Sequence, residues 1–263
     1  MTDHNVITVR QVWQAIDQLA PPALAAEWDS AIGLEIGNPD QAISHVLITL
    51  DVSESVITRA AATGCQLIIT HHPLIFTPIT TIRHDIPEQR LIAGLLHNKI
   101  SLIAAHTNLD AAPGGVADCL ADVFGLSTEK CQPAGPFGRI GYLPEPMQLS
   151  RLAGLARQKL GSSGCRINTD RDRIIKCLAV FPGSFSEEEI TLLTESGAEA
   201  IVCGEIKHHV GLMLSARGIA SIDAGHDVTE RVALKSLAKR LGEMLPEISF
   251  AVDGGLDYNK MAF

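Results

Sequence analysis

Short runs of β-branched and aliphatic residues alternate along the chain with segments whose apolar positions recur at helical spacing. Ser53 is the expected N-cap of the first predicted helix, and a later helix is expected to start at Pro113. In this part of the chain the pattern predicts strands at residues 46–50, 66–70 and 100–105 and helices at 53–62 and 86–97. The alternation of strand and helix indicates an α/β fold.

Residues 127–138 contain two prolines and two glycines and little periodicity, which marks a boundary between two lobes. We therefore expect one α/β lobe from residues 1–127 and 222–263 and a second from residues 128–221, each a mixed or parallel sheet flanked by helices. Beyond the boundary the pattern predicts strands at 140–143, 174–181, 200–203, 219–223 and 248–252 and helices at 149–160, 186–195, 207–216 and 229–244.

The composition is that of an ordinary globular protein, with 46% hydrophobic and 19% charged residues. A formal net charge of -9 disfavours attraction to a phosphate backbone, so nucleic acid is not an expected partner. The first residues do not resemble a secretory signal, and no apolar run approaches the roughly 18–20 residues of a membrane-spanning helix. The six cysteines are scattered without a C-x-x-C pair. These features predict a cytoplasmic protein with reduced thiols and no membrane partner.

The first candidate site residues are His71 and His72, which follow a predicted strand and precede Pro73. Successive side chains of a regular strand point to opposite faces. The two imidazoles can therefore serve one site only if the chain bends there or if they bind two different ions. Pro73 favours an extended conformation at His72 that helps to hold such a bend. The alternative is a pair of loop histidines without a ligand.

A second polar cluster, from His106 to Asp110, follows the next predicted strand. The Asp110 carboxylate could bridge two cations, and His106 could bind a metal or orient a metal ligand through a hydrogen bond. Capping of the helix near Pro113 is the alternative role for Asp110. Both clusters lie at the carboxyl ends of predicted strands, where ligands bind in open α/β sheets.

The third cluster contains His226 and Glu230, which follow a further predicted strand and lie four residues apart. On a helix this spacing places both side chains on one face, about one turn apart, as a shared metal site requires. Asp227 and Glu230 also fit a variant of the capping box, which would direct Glu230 to the helix backbone. Both interpretations stay open.

Glu205, His208 and His209 form a fourth group, which is expected to line the pocket or to orient metal ligands rather than to bind metal directly. No G-x-x-x-x-G-K-[ST] phosphate loop and no G-x-S-x-G nucleophile elbow occurs, so any chemistry is expected to depend on metal ions. Three imidazoles and two carboxylates suit Zn, Mn or Fe and exceed what one tetrahedral zinc requires. These expected metal ligands are His71, His72, Asp110, His226 and Glu230.

Several short motifs occur in a specific order along nearly the whole chain. They are Trp28-Asp29, Gly33-Leu34-Glu35-Ile36-Gly37, Leu50-Asp51-Val52, Thr70-His71-His72-Pro73, His106-Thr107-Asn108-Leu109-Asp110, Gly204-Glu205, Gly225-His226 and Thr229-Glu230. In this order the motifs resemble those of the GTP cyclohydrolase type 2 homologues, also called the Ngg-interacting-factor-three-like family. The resemblance implies that the five expected ligands bind two divalent metal ions in a cleft between two α/β lobes. It also implies self-assembly into a toroidal homohexamer.

Two functions are compatible with this resemblance. The first is a metal-dependent hydrolase, in which two cations activate a water for attack on a carbon or phosphorus of a small-molecule substrate. In a cyclohydrolase, that attack would open the imidazole ring of a guanine nucleotide. The second is a ring-forming metal-binding or interaction protein without significant turnover. Activity measured on the metal-loaded protein and on a variant lacking the site separates the two.

Overall fold

A computed structural model of the chain describes residues 6–126, 131–169 and 171–254. Within these residues the chain forms two compact units. The first unit consists of the described parts of Met1–Ala112 and Leu234–Gly255, and the second consists of those of Pro113–Ala233. Among the described residues, no helix has the length and apolarity that crossing a bilayer requires.

Eleven strands and ten α-helices alternate along the described residues. The strands are β1 (Gly33–Ile36), β2 (His45–Thr49), β3 (Leu67–Thr70), β4 (Ser101–Ala104), β5 (Gln132–Ala134), β6 (Gly138–Gln148), β7 (Arg166–Asn168), β8 (Ile174–Phe185), β9 (Ala200–Ile206), β10 (Ala220–Asp223) and β11 (Ser249–Val252). The helices are α1 (Val9–Leu19), α2 (Glu54–Ala62), α3 (Pro87–His97), α4 (Thr107–Ala111), α5 (Val116–Val123), α6 (Leu149–Leu160), α7 (Ile190–Glu195), α8 (His208–Ala216), α9 (His226–Glu230) and α10 (Leu234–Met244).

The sheet of the first unit has the strand order β1-β4-β3-β2-β11. Strands β4, β3, β2 and β11 run parallel, and β1 pairs with β4 in the antiparallel direction. Every residue of β3 and β4 is buried, as expected for central parallel strands that read as continuous apolar runs. The carboxyl ends of β2, β3 and β4 therefore meet at one edge of the sheet, and each is followed by polar residues.

The sheet of the second unit has the strand order β5-β6-β8-β9-β10-β7. Strands β8, β9 and β10 run parallel, whereas the pairs β5–β6, β6–β8 and β10–β7 are antiparallel. One core cluster contains Leu120 of α5 and Leu152 of α6, and a separate cluster contains Ile190 of α7 and Leu214 of α8. Each unit is thus a mixed sheet flanked by helices, as the sequence predicts.

Ser53 caps α2 as predicted, because its Oγ accepts a hydrogen bond from the backbone N–H of Val56 at 3.2 Å. The predicted single helix over 229–244 is wrong. Three pieces occupy that region: α9, a 3-10 turn at Arg231–Ala233, and α10. The break follows from packing, since α9 contacts β8 and β9 of the second sheet, whereas α10 contacts β2 and β11 of the first.

The boundaries between the observed units lie at 112/113 and 233/234, whereas the sequence places them at 127/128 and 221/222. Helix α5 contacts β8, and α9 contacts β8 and β9, so both helices belong to the second unit. The helix expected to start at Pro113 begins at Val116, and the short helix α4 precedes it. The candidate ligands His226 and Glu230 accordingly lie in the second unit.

Candidate metal centre

His71 and His72 are held together by main-chain pairing that continues beyond β3. The backbone N–H of His71 donates to the carbonyl of Thr49 at 3.2 Å, and that of His72 donates to Leu50 at 3.0 Å. The two imidazole centroids lie 5.0 Å apart. The bend that lets both imidazoles serve one site is therefore present.

Both of these imidazoles are oriented by an oxygen atom at Nδ1. The Nδ1 of His71 lies 3.0 Å from the carbonyl oxygen of Ala105, and the Nδ1 of His72 lies 2.8 Å from Oδ1 of Asp51. Because carbonyl and carboxylate oxygens only accept hydrogen bonds, Nδ1 carries the proton in each neutral ring. The lone pair is then on Nε2, which is the arrangement that metal-binding histidines adopt in proteins.

His106 completes a group of three histidines. Its Nδ1 lies 2.9 Å from Oδ2 of Asp29, and its ring centroid lies 5.2 Å from that of His71 and 5.7 Å from that of His72. Burial, together with electrostatic repulsion from the His71 imidazole when that ring is protonated, lowers the pKa of His106 to about 4, so the His106 ring is neutral at pH 7. One ligand nitrogen from each of the three histidines lies within 4.8 Å of the others, and the group could hold a metal ion. His106 is thus geometrically a candidate ligand, which is one of the two roles that the sequence allows for it.

Asp110 lies on α4, and its side chain is buried beside His71. The Oδ1 atom of Asp110 is 3.5 Å from Nε2 of His71. Asn108 holds α4 in place, because its Nδ2 donates to the carbonyl of Ala20 at 2.7 Å. The N-cap of the next helix is Gly115, so Asp110 does not cap the helix that follows. A buried carboxylate beside an imidazole lone pair is an arrangement suited to a cation.

His226 and Glu230 form the corresponding pair in the second unit. The Nε2 of His226 lies 3.0 Å from Oε1 of Glu230, and its Nδ1 lies 3.4 Å from Oε2 of Glu205. The Glu230 side chain is only 5% exposed. Glu205 therefore stands at the ring nitrogen opposite the candidate metal-binding nitrogen, in agreement with an orienting role.

The capping-box interpretation of Asp227 and Glu230 does not hold. Gly225, with φ of 105°, is the N-cap of α9, and Asp227 lies inside the helix. The Asp227 carboxylate forms an ion pair with Arg231 one turn later. Glu230 is therefore not directed to the helix start.

Gly183 leaves the space that the pair His226–Glu230 occupies. A Cβ atom at Gly183 would lie 2.3 Å from Oε1 of Glu230 and 3.3 Å from Nε2 of His226. Gly204 is restricted in the same way, since its Cβ would lie 2.6 Å from Oγ1 of Thr229. Gly183 is not predicted from the sequence, where its only signal is a Pro-Gly pair inside an apolar strand.

His208 and His209 lie at the first two positions of α8, and both are exposed. The Nε2 of His209 is 3.5 Å from Oε2 of Glu187. Their place at the exposed start of a helix gives them no evident part in holding a metal.

Three further acidic residues, Asp29, Glu35 and Asp51, contact the site in roles that the sequence does not predict. Glu35 on β1 accepts hydrogen bonds from the backbone N–H groups of Leu74 at 3.0 Å and Ile75 at 2.8 Å, and burial raises its pKa. It thereby holds the turn that follows His72. In the sequence, such a residue can be found as an acidic residue inside or directly after a short apolar run. A charged side chain at such a position needs a specific partner.

Comparisons with known proteins agree with this architecture. The family described as Duf34/NIF3 (NGG1p interacting factor 3) matches residues 7–254. A GTP cyclohydrolase 1 type 2 homolog of Clostridium perfringens is 30% identical over 244 residues, which cover 90% of this chain and 92% of the relative. One of Streptomyces coelicolor is 32% identical over 231 residues, which cover 84% and 80% of the respective chains.

Two solved structures are similar over nearly the whole chain. A Bacillus cereus protein related to NIF3 has a TM-score of 0.89 at 24% identity, covering 98% of this chain and 100% of its own, and this likeness shows the fold alone. Reduced HcgD from Methanocaldococcus jannaschii has a TM-score of 0.80 at 28% identity, covering 96% and 98% of the respective chains.

Proposed function

Because the chain belongs to the Duf34/NIF3 family, we propose that it is a metal-dependent hydrolase with a dinuclear centre. The observation that carries the proposal is a repeated pair, an imidazole Nε2 facing a buried carboxylate oxygen. The distances are 3.5 Å for His71 and Asp110 and 3.0 Å for His226 and Glu230. The proposed ligands of the two divalent cations are His71, His72, Asp110, His226 and Glu230.

The donor set fits such ions. Asp110 and Glu230 are 8% and 4% exposed, and a buried carboxylate is costly unless a cation or hydrogen-bond donors compensate its charge. Nitrogen and oxygen donors without thiolate favour Zn, Mn or Fe over a structural cysteine-rich zinc site. Two carboxylates also offset part of the charge of two divalent ions.

When bound, two such ions would lower the pKa of a water towards 7 and so supply a hydroxide nucleophile at neutral pH. The residues of the chain have separate parts in this scheme. Asp51 and Glu205 keep the proton of His72 and His226 on Nδ1, which leaves Nε2 for the metal. Asp110 and Glu230 contribute the negative charge. The name of the relatives, GTP cyclohydrolase 1 type 2 homolog, favours hydrolysis of a small molecule over the alternative without turnover.

Metal content tests the ligand assignment. We expect about two ions per chain in the wild type and a loss of about one in His71→Ala and in His226→Ala, because each change removes one imidazole from a small ligand set. The matched control is His208→Ala, an exposed histidine that should leave the stoichiometry unchanged. Wild-type stoichiometry in both site variants would refute the assignment.

Turnover is tested on the metal-loaded protein with a panel of phosphoesters, cyclic amides and GTP. Hydrolysis of one class that disappears in His71→Ala supports the hydrolase. Activity that survives this change comes from a contaminant. Metal binding without turnover of any substrate would favour the metal-binding alternative. The family resemblance also supports a homohexamer, which the mass of the purified chain in light scattering tests.

A further inference from the structure

Two large aromatic side chains stand exposed beside the three histidines of the first unit. Trp28 is 68% exposed and Phe76 is 52% exposed. Both flank the same imidazole, because the ring centroid of His106 lies 6.0 Å from that of Trp28 and 5.5 Å from that of Phe76. Aromatic rings of this size are usually buried, and exposed ones at a polar site commonly mark a binding surface.

Neighbouring carboxylates, the buried Asp29 and the half-buried Glu35, form hydrogen bonds that fix the backbone on which each ring stands. Trp28 precedes Asp29, whose side chain is fully buried. The Asp29 carboxylate forms a hydrogen bond with Nδ1 of His106 and accepts hydrogen bonds from the N–H and the hydroxyl of Thr107. Phe76 follows Ile75, whose backbone N–H donates a hydrogen bond to the Glu35 carboxylate. The rings are therefore exposed on anchored segments of chain. Such preorganisation lowers the entropic cost of binding a ligand.

We propose that Trp28 and Phe76 bind a planar nitrogen heterocycle of the substrate by stacking, with His106 at the edge of the bound ring. Each flat aromatic face gains from contact with another flat ring, and this gain tolerates different bases. A nitrogen heterocycle also carries donors and acceptors at its edge, which an imidazole can match.

The inference rests on the proposed function, because it names the class of compound that the proposed hydrolase takes. Its test compares two probes that share a sugar phosphate and differ in the ring, guanosine 5′-monophosphate and ribose 5-phosphate. Binding of each to the metal-loaded full chain is measured by calorimetry. We expect the nucleotide to bind at least about tenfold more tightly, the difference being the stacked base.

The variants Trp28→Leu and Phe76→Leu should each weaken nucleotide binding by about tenfold and leave binding of ribose 5-phosphate unchanged. Tyr142→Leu is the matched control, since Tyr142 on β6 is 75% exposed and lies outside the candidate site. Metal content is measured in every variant, so that a change in ring binding is separated from a loss of metal.

Equal affinity of the wild type for the two probes would overturn the inference. Nucleotide binding that is unchanged in both variants would also overturn the inference. If the mass of these variants in solution also changed, the two rings would be assigned to a contact between chains. If the protein binds two ions and turns over a substrate but shows either of these binding results, the proposed function stands and the ring-binding inference is wrong. If the protein hydrolyses no substrate but binds the nucleotide more tightly than ribose 5-phosphate, and Trp28→Leu removes that difference, the proposed function is wrong and the ring-binding site stands.

Discussion

The Nδ1 atom of His72 lies 2.8 Å from Oδ1 of Asp51, a residue that follows the neighbouring strand β2. The hydrogen bond sets both the tautomer and the rotation of the imidazole, because the carboxylate can only accept. An orienting partner of this kind commonly affects metal affinity as strongly as some ligands do.

Asp51→Asn should therefore lower metal affinity by about 10- to 100-fold, because an amide can present either a donor or an acceptor to Nδ1. Affinity is measured by competition with a chelator of known strength. Asp40→Asn is the control: Asp40 pairs with Arg10 on the exposed surface, and the same substitution there should leave affinity unchanged. Equal affinities for Asp51→Asn and the wild type would mean that Asp51 has no orienting role.

Gly183→Ala should reduce metal binding, because the added Cβ would lie 2.3 Å from Oε1 of Glu230 and displace that carboxylate. Gly183 has a φ of 60°, so backbone strain adds a cost of about 1–2 kcal/mol in unfolding free energy. Gly197→Ala separates the two effects, since its φ is 76° and its Cβ would meet nothing within 4 Å. Both variants should lose stability in chemical denaturation, and only Gly183→Ala should lose metal.

Glu230→Gln should weaken binding of one ion while changing the stability of the metal-free chain little, because Glu230 has no part in capping α9. The control, Asp227→Asn, removes a charge from the same helix and breaks only the ion pair with Arg231. We expect metal loss in the first variant and retention in the second, measured beside thermal midpoints with metal and after chelation. Full occupancy in Glu230→Gln would mean that Glu230 is not a ligand and would leave four of the five proposed ligands.

Glu189→Gln should stabilise the protein at alkaline pH. Burial raises the pKa of Glu189 to about 7 from 4.5, so the folded state favours the protonated carboxyl. The contribution of the protonated Glu189 carboxyl to the free energy of unfolding is fully present below pH 4.5 and is lost as the pH rises through 7. Gln stays neutral and can still accept the hydrogen bond from the Ser186 N–H, so at pH 8 the gain in unfolding free energy should be about 1–3 kcal/mol.

Urea denaturation at pH 4 and pH 8 checks this sign. The difference between Glu189→Gln and the wild type should be near zero at the lower pH, where both side chains are neutral in the folded state. The control is Glu195→Gln, at an exposed position at the opposite end of α7, and it should show no such pH dependence. A gain that is equal at both pH values would assign the effect to packing.

The sequence predicts that the candidate ligands follow short apolar strands, and the structure places them after β3, β4 and β10. The end of β3 leads to His71 and His72, and the end of β4 leads to His106 and Asp110. Parallel neighbours then bring these positions to one edge of the sheet. This inference needs only periodicity and strand direction.

The partners of those histidines depend on contacts that periodicity does not encode. His106 bonds Asp29 from 77 positions away, and His72 bonds Asp51 from 21 positions away. The division of 226–244 into α9, a 3-10 turn and α10 was missed for a related reason. The apolar positions of this segment fit a single helix. The break is evident only from the structure, in which α9 packs against the second sheet and α10 packs against the first.

Strand β11 pairs with β2 in parallel, yet more than half of the chain separates the two in sequence. A ribosome makes the histidine-bearing segments long before it makes residues 249–252. Until then β2 is an edge strand with unpaired N–H and C=O groups, which are prone to pair with other chains. The described residues of the second unit all lie between 113 and 233, so they are made before β11. The sheet that carries His71 and His72 is thus completed only when β11 has been made, so synthesis that stops before β11 leaves it open to aggregation.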